Sequence, residues 1–207
     1  VRLTTIMLSV EGVPGPLAPL EGSTGGLREQ ADDPRLVAMV RDHLDFTWRS
    51  LRRLGLPADA ADDAVQRVFL VASARLADID PGRERAFLFN TALRVASSEK
   101  RSFARRREVR NRDALERAPD TAPAADEQLD RHRARQVLEE LLRQLEIDLR
   151  AVFVLYELEE LSTAEIAATL EIPPGTVSSR LRRAREQFQA ATRRLQARRR
   201  RGNGGMR

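Results

Sequence analysis

Residues 162–188 constrain this chain more than any other stretch. They read Ser-Thr-Ala-Glu-Ile-Ala-Ala-Thr-Leu-Glu-Ile-Pro-Pro-Gly-Thr-Val-Ser-Ser-Arg-Leu-Arg-Arg-Ala-Arg-Glu-Gln-Phe. Ser162 is placed to cap a short helix, with Glu165 three residues on to close a capping box. Ile166, Ala167 and Leu170 give that helix an apolar face. Pro173-Pro174 ends it and opens a second helix, because proline is tolerated in a first turn. Val177, Leu181, Ala184 and Phe188 then form one buried stripe, which leaves Ser178, Ser179, Arg182, Arg183 and Arg185 outward. This is the layout of a helix-turn-helix whose second helix enters a DNA major groove. An ordinary helical hairpin with a solvated basic face is the plainer alternative.

Charge favours the nucleic-acid reading. The chain of 207 residues carries +5 overall, unevenly spread. From Thr176 to Arg201 there are ten arginines against one acid, Glu186. From Arg94 to Arg112 there are eight cations against Glu99 and Glu108. Such blocks repel themselves unless a polyanion neutralises them, and neutralised phosphates make binding salt-sensitive. Scattered charge would serve solubility better than two blocks.

Composition removes several function classes. There is no cysteine, which excludes disulfides, zinc fingers and thiol redox sensing. His43 and His132 lie far apart, so no metal site is expected. There is no phosphate-cradling Gly-Lys-Ser/Thr loop and no nucleophile–base pair, so neither a cofactor nor catalysis is expected. No apolar run reaches the roughly 18 residues that would span a bilayer, and no signal peptide is evident, so the expected location is the cytoplasm. Val1 with Met7 downstream is what a conceptual translation from a non-ATG codon would show.

The periodicity predicts an all-α protein: two small helical domains joined by a flexible linker, the second holding the helix-turn-helix. Residues 1–31, rich in Gly, Pro and Ser, read as a disordered tail. The first domain spans 33–112, an acidic Pro/Ala linker 113–133, the second domain 134–197, and a basic flexible tail 198–207. In the first domain a helix is expected over about 34–54, with Leu36, Val40, Leu44, Thr47, Trp48 and Leu51 inward and Gly55-Leu56-Pro57 as its stop. A second begins near Asp59–Asp63 with Val65, Val68, Phe69, Ala72 and Leu76 inward and Asp62, Asp63, Gln66 and Arg67 outside. A third runs over about 85–107, basic in its C-terminal half. Phe87 and Phe89 suit a core. An aromatic beside a basic helix also suits stacking on an unpaired base, worth roughly 1–3 kcal/mol per base.

Three motifs in order carry a family resemblance. Asp62-Asp63-Ala64-Val65-Gln66-Arg67-Val68-Phe69 is similar to the polymerase-docking helix of bacterial sigma factors of the extracytoplasmic-function (ECF) class. Arg85-Ala86-Phe87-Leu88-Phe89, with the basic run after it, resembles their −10 segment. Glu165-Ile166-Ala167 with residues 175–185 resembles their −35 helix-turn-helix. Arg67 stands where the family usually has an acid, Phe87 where it has Trp, Arg94 where Asn is common, and Ser178 where Lys or Arg is frequent. The resemblance implies core-polymerase binding through Asp62, Asp63, Gln66 and Arg67. It implies −10 contacts from Phe87, Phe89, Arg94, Lys100, Arg101, Arg105 and Arg106. It implies −35 contacts from Thr176, Ser178, Ser179, Arg180, Arg182, Arg183 and Arg185. The implied partners are core RNA polymerase, promoter DNA and an anti-sigma protein, and the implied role is promoter opening in transcription initiation. A stand-alone helix-turn-helix regulator is the alternative, but it leaves the first two motifs unused.

Overall fold

Local capping chemistry sets where each helix starts and stops in the computed structural model, which describes residues 33–109 and 126–203. α1 is Pro34–Arg53. Asp33 caps it by accepting from the Arg35 amide at 2.8 Å, and Pro34 sits in the first turn. Its end is a Schellman motif: Gly55 N–H donates to Arg52 C=O and Leu56 N–H to Leu51 C=O. Gly55 supplies the left-handed backbone that this turn needs, at φ +106°. α2, Ala58–Ala74, begins after Pro57 with Asp59 in its first turn. A short 3-10 turn, Leu76–Asp78, leads to α3, Glu84–Val109. Arg35 ties the start of α1 to this connection, donating to Leu76 C=O at 3.1 Å, to Ile79 C=O and to Glu84.

These three helices pack pairwise around Leu51, Leu54, Val68, Leu88 and Phe89, all 2% exposed or less. Ala61, Ala64, Ala72, Ala92 and Ala96 let α2 and α3 approach closely. The inward stripe of α1 differs from the expected one. Met39, Phe46 and Ser50 are buried, Leu44 is 47% exposed, and Val40 and Trp48 are half-buried. Phe46 turns in to meet Phe89, at a ring distance of 6.5 Å, and that rotates the stripe away from Leu44.

The second half contains α4 (Asp126–Arg143), α5 (Ile147–Glu157), α6 (Thr163–Leu170) and α7 (Pro174–Asn203). α5 has an unbroken buried run from Leu149 to Leu155, as befits a helix surrounded by others. It packs on α7, where Phe153 stacks on Phe188 at 4.8 Å. Among the described residues there is no strand, and no helix is long and apolar enough to cross a membrane.

Two expected boundaries shift. The last eight positions assigned to the linker, 126–133, are helical, because α4 starts at Asp126, a residue favoured at the positive end of the helix dipole. The arginine run at 198–201 continues α7 rather than forming a flexible tail, since arginine is a good helix former and the first glycine comes only at 202. The expected tail at 1–31 and linker residues 113–125 lie outside the described residues. The two halves touch, α1 against α4 and α3 against α6, and one continuous buried cluster draws on both.

Candidate nucleic-acid interface

The capping box forms as expected. Glu165 N–H donates to Ser162 Oγ at 3.2 Å, while the Ser162 amide and hydroxyl donate to Glu165 Oε2 at 2.8 and 2.7 Å. These two bonds, the hydroxyl first, hold the Glu165 carboxyl below its ordinary pKa. α6 stops at Glu171, whose left-handed φ of 54° breaks the helix, and Ile172 N–H closes back on Ala167 C=O at 3.1 Å. Pro173 C=O accepts from Thr176 and Val177, so α7 starts with Pro174 in its first turn. Val177, Leu181 and Ala184 are 0–5% exposed, and Ala191 extends the stripe. That packing turns Ser178, Ser179, Arg182, Arg183 and Arg185 to solvent; Thr176 and Arg180 are half-buried at the edge.

The outward arginines are mostly engaged with acids. Arg180 pairs with Asp148 at 3.1 Å, Arg182 with Glu186 at 2.8 Å and Arg185 with Glu157 at 2.7 Å. Arg185 also lies 5.0 Å from the Tyr156 ring, and its hydrogen bond to Glu157 raises its pKa. Arg183 has no ion pair among the described residues. The hydroxyls of Ser178 and Ser179 donate to Pro174 C=O and Thr176 C=O at 3.2 and 3.0 Å. Only the Glu186 pairing, four residues along one helix, was legible in the sequence. Asp148, Glu157 and Tyr156 come from α5, whose packing the local pattern does not reveal.

On α3, Phe87 is half-buried, whereas Arg94, Lys100 and Arg101 are exposed. Phe87, Arg94 and Arg101 follow at intervals of seven and therefore share one helix face, which the register extends to position 105. Lys100 and Arg106 fall off that face by register. The side chains of Arg105 and Arg106 lie outside the described residues. Phe89, expected to share base stacking with Phe87, is instead a core residue at 1% exposure against Phe46. Two positions after Phe87 on a helix is the opposite flank, so only one of the pair can face outward.

On α2, Asp62 and Asp63 are exposed, and Gln66 and Arg67 are half-buried. Asp62 accepts from Trp48 Nε1 at 2.8 Å, and Arg67 reaches across to Glu99 on α3. Neither pairing is visible in sequence, since each joins different helices.

The Sigma-70, region 4 family model matches residues 135–188, which hold the second half of α4, all of α5 and α6, and the first half of α7. Over 164 residues the chain is 32% identical to the ECF RNA polymerase sigma factor SigE of Mycolicibacterium smegmatis, covering 77% of this chain and 62% of that one. Over 157 residues it is 33% identical to the ECF sigma factor SigL of Mycobacterium tuberculosis, covering 73% and 85%. The fold resembles the sigma factor RpoE solved with the anti-sigma factor NepR from Bartonella quintana, with TM-score 0.53 and 23% identity over 75% of this chain and 98% of that one.

Proposed function

The chain belongs to the ECF sigma factors of bacterial RNA polymerase, and from that premise we propose how its surfaces share the work of initiation. Residues 33–112 act as the polymerase-docking and −10 domain, and residues 134–197 as the −35 domain. Asp62, Asp63, Gln66 and Arg67 on α2 meet core polymerase. The α7 face of Thr176, Ser178, Ser179, Arg180, Arg182, Arg183 and Arg185 enters the −35 major groove. Arginine there can take two guanine acceptors at once, worth roughly 1–3 kcal/mol of discrimination. Arg198–Arg201 lie beyond the motif and serve as phosphate contacts.

The outer face of α3 receives the melted strand. Unstacking a base step costs a few kcal/mol, and this sequence has no nucleotide-hydrolysis motif to supply it. Stacking on Phe87 and phosphate neutralisation by Arg94 and Arg101 on that face, with Lys100 reaching the backbone from its flank, offset that cost once polymerase has set the spacing of the two domains. The work takes place in the cytoplasm, where polymerase and promoter meet. An anti-sigma protein is the partner that would hold the chain inactive, as NepR accompanies its RpoE.

The observation that carries this reading is the capped α6–turn–α7 unit with arginines outward, set within a match that extends over 157 residues and so well beyond the helix-turn-helix. Its test is permanganate footprinting of a promoter chosen by sequencing transcripts from the reconstituted holoenzyme. Thymines near −10 should react only with holoenzyme, and Phe87→Ala should reduce that reactivity. Opening by the purified chain alone, or failure to capture core polymerase in a pull-down, would refute it; the latter would favour a stand-alone regulator.

A further inference from the structure

Two acids on α5 reach the flanks of α7 rather than the centre of its outer face. Asp148 lies in the first turn of α5 and Glu157 is its last residue. Arg180 donates to Asp148 through Nη2 at 3.1 Å, and Arg185 donates to Glu157 through Nε at 2.7 Å. The Tyr156 ring supports the same Arg185, 5.0 Å from its guanidinium carbon. At about 100° per residue, positions 180 and 185 fall on opposite margins of the buried stripe of Val177, Leu181 and Ala184, about 140° apart. Positions 179, 182 and 183 occupy the middle of the exposed face. The flanking arginines are thus anchored to a second helix. The central ones are not: Arg182 pairs with Glu186 of its own helix, and Arg183 has no ion pair among the described residues.

We propose that α5 is a positioning element for DNA. Asp148 and Glu157 hold Arg180 and Arg185 ready as two phosphate clamps, one for each backbone bordering the major groove, while Arg182 and Arg183 move between them to meet bases. The proposal rests on the reading of α7 as the −35 helix. A helix lying in a major groove turns its centre to base edges and its flanks to the phosphates on either side. Phosphate contacts fix register, so they gain from side chains that are already in place. An unrestrained arginine has to be ordered on binding, which lowers affinity roughly two- to tenfold. Glu157 engages Nε, so the forked end of the Arg185 guanidinium remains for an anion. Asp148 engages one terminal nitrogen of Arg180 and leaves its other donors. Neither acid has to leave when a phosphate arrives. Glu186 sits on the outer face itself, so its hold on Arg182 yields to DNA.

The test titrates reconstituted holoenzyme with a −35 duplex taken from one of its own promoters. Glu157→Ala and Glu157→Gln both remove the negative charge, but only glutamine keeps an acceptor for Arg185 Nε. Relief of repulsion between the acid and DNA is therefore the same in both, and their difference reads orientation alone. Glu157→Ala should bind roughly two- to tenfold more weakly than Glu157→Gln. The gap should close in an Arg185→Ala background. Asp148→Ala and Asp148→Asn should differ in the same direction, with the gap closing in Arg180→Ala, and this arm decides the matter if a Glu157 variant fails to fold. Replacing groove-bordering phosphates one at a time by neutral methylphosphonates should abolish the Glu157 gap at one backbone and the Asp148 gap at the other. Base-pair preference should stay unchanged throughout. Alanine and amide variants that bind equally, while Arg182→Ala and Arg183→Ala still weaken binding, would overturn the clamps and keep the groove reading. A shifted base-pair preference in Glu157→Ala would make Arg185 a base reader and overturn the phosphate assignment. If Arg182→Ala and Arg183→Ala also have no effect, the groove reading fails and the clamps fall with it.

Discussion

Replacing Gly55 with alanine should destabilise the chain by more than backbone strain can explain. A Cβ at Gly55 would lie 2.1 Å from Arg150 Nη1, and the residue sits at φ +106°. The backbone term alone is on the order of 1–3 kcal/mol for a non-glycine residue in such a conformation. The guanidinium is the movable end of its side chain, so it yields. Yielding breaks its bond to Leu54 C=O in a buried site, and a hydrogen bond to a charged group contributes about 1.5–3 kcal/mol. Burial and the nearby Arg143 charge lower the Arg150 pKa only to about 10, so the displaced group stays cationic at neutral pH and strands a charge. Together the loss should be about 2.5–6 kcal/mol, roughly 5–24 °C in Tm at this size. Gly82 provides the control: its φ is +84° but nothing lies within 4 Å of its Cβ position, so Gly82→Ala should cost strain alone. Differential scanning calorimetry of both variants, and of Gly55→Ala in an Arg150→Ala background, isolates the steric part. A coupling of about 1.5–3 kcal/mol is expected. Equal losses for Gly55→Ala and Gly82→Ala, or strict additivity with Arg150→Ala, would refute the close approach.

Ser162→Ala should cost about 0.5–2 kcal/mol by removing the α6 cap, read as a lower denaturant midpoint with unchanged slope. Glu165 has a lowered folded pKa, so its contribution is present above the ordinary glutamate range and is lost as pH falls through the folded value. Glu165→Gln should therefore flatten the acid limb of a stability–pH curve, and an unaltered limb would contradict the capping role. Asp63→Arg should weaken capture of core polymerase by about 2 kcal/mol in a binding titration while leaving the circular-dichroism melt unchanged. Asp63 is the cleaner choice because reversing Asp62 also removes the acceptor for Trp48. Arg182→Ala and Arg183→Ala should each cost roughly 1–3 kcal/mol at one −35 base pair in competition binding, whereas neutralising 198–201 should mainly reduce the salt slope.

The helix-turn-helix was legible nearly residue by residue because its signals are local. A capping box, a proline pair and a stripe spaced by helical turns each act within a dozen residues. α2 was legible for the same reason. The misreadings arose where a distant partner decides. Leu44 and Met39 suit the inner face of α1 equally well by hydropathy, and Phe89 selects between them by drawing in Phe46. The junction of the halves was not legible at all. It depends on an arginine reaching from α5 to a backbone carbonyl at the end of α1, and a carbonyl has no sequence signature. Gly55 reads as a helix stop in sequence; its second use, making room for Arg150, appears only in three dimensions.

The ion pairs differ in how much each can contribute. On α7 the Arg182–Glu186 pair is exposed, at 69% and 61%, and such pairs contribute about 0–1 kcal/mol. If α7 enters a major groove as proposed, phosphates and guanine edges displace Glu186 at little cost. Glu159, by contrast, is sheltered and held by two arginines from different helices. Arg53 is the more buried of the two, at 23% against 52% for Arg85, so its pair is less screened by water. Arg53→Ala should therefore lower the denaturant midpoint more than Arg85→Ala does. Equal losses would show that burial does not separate the two pairs.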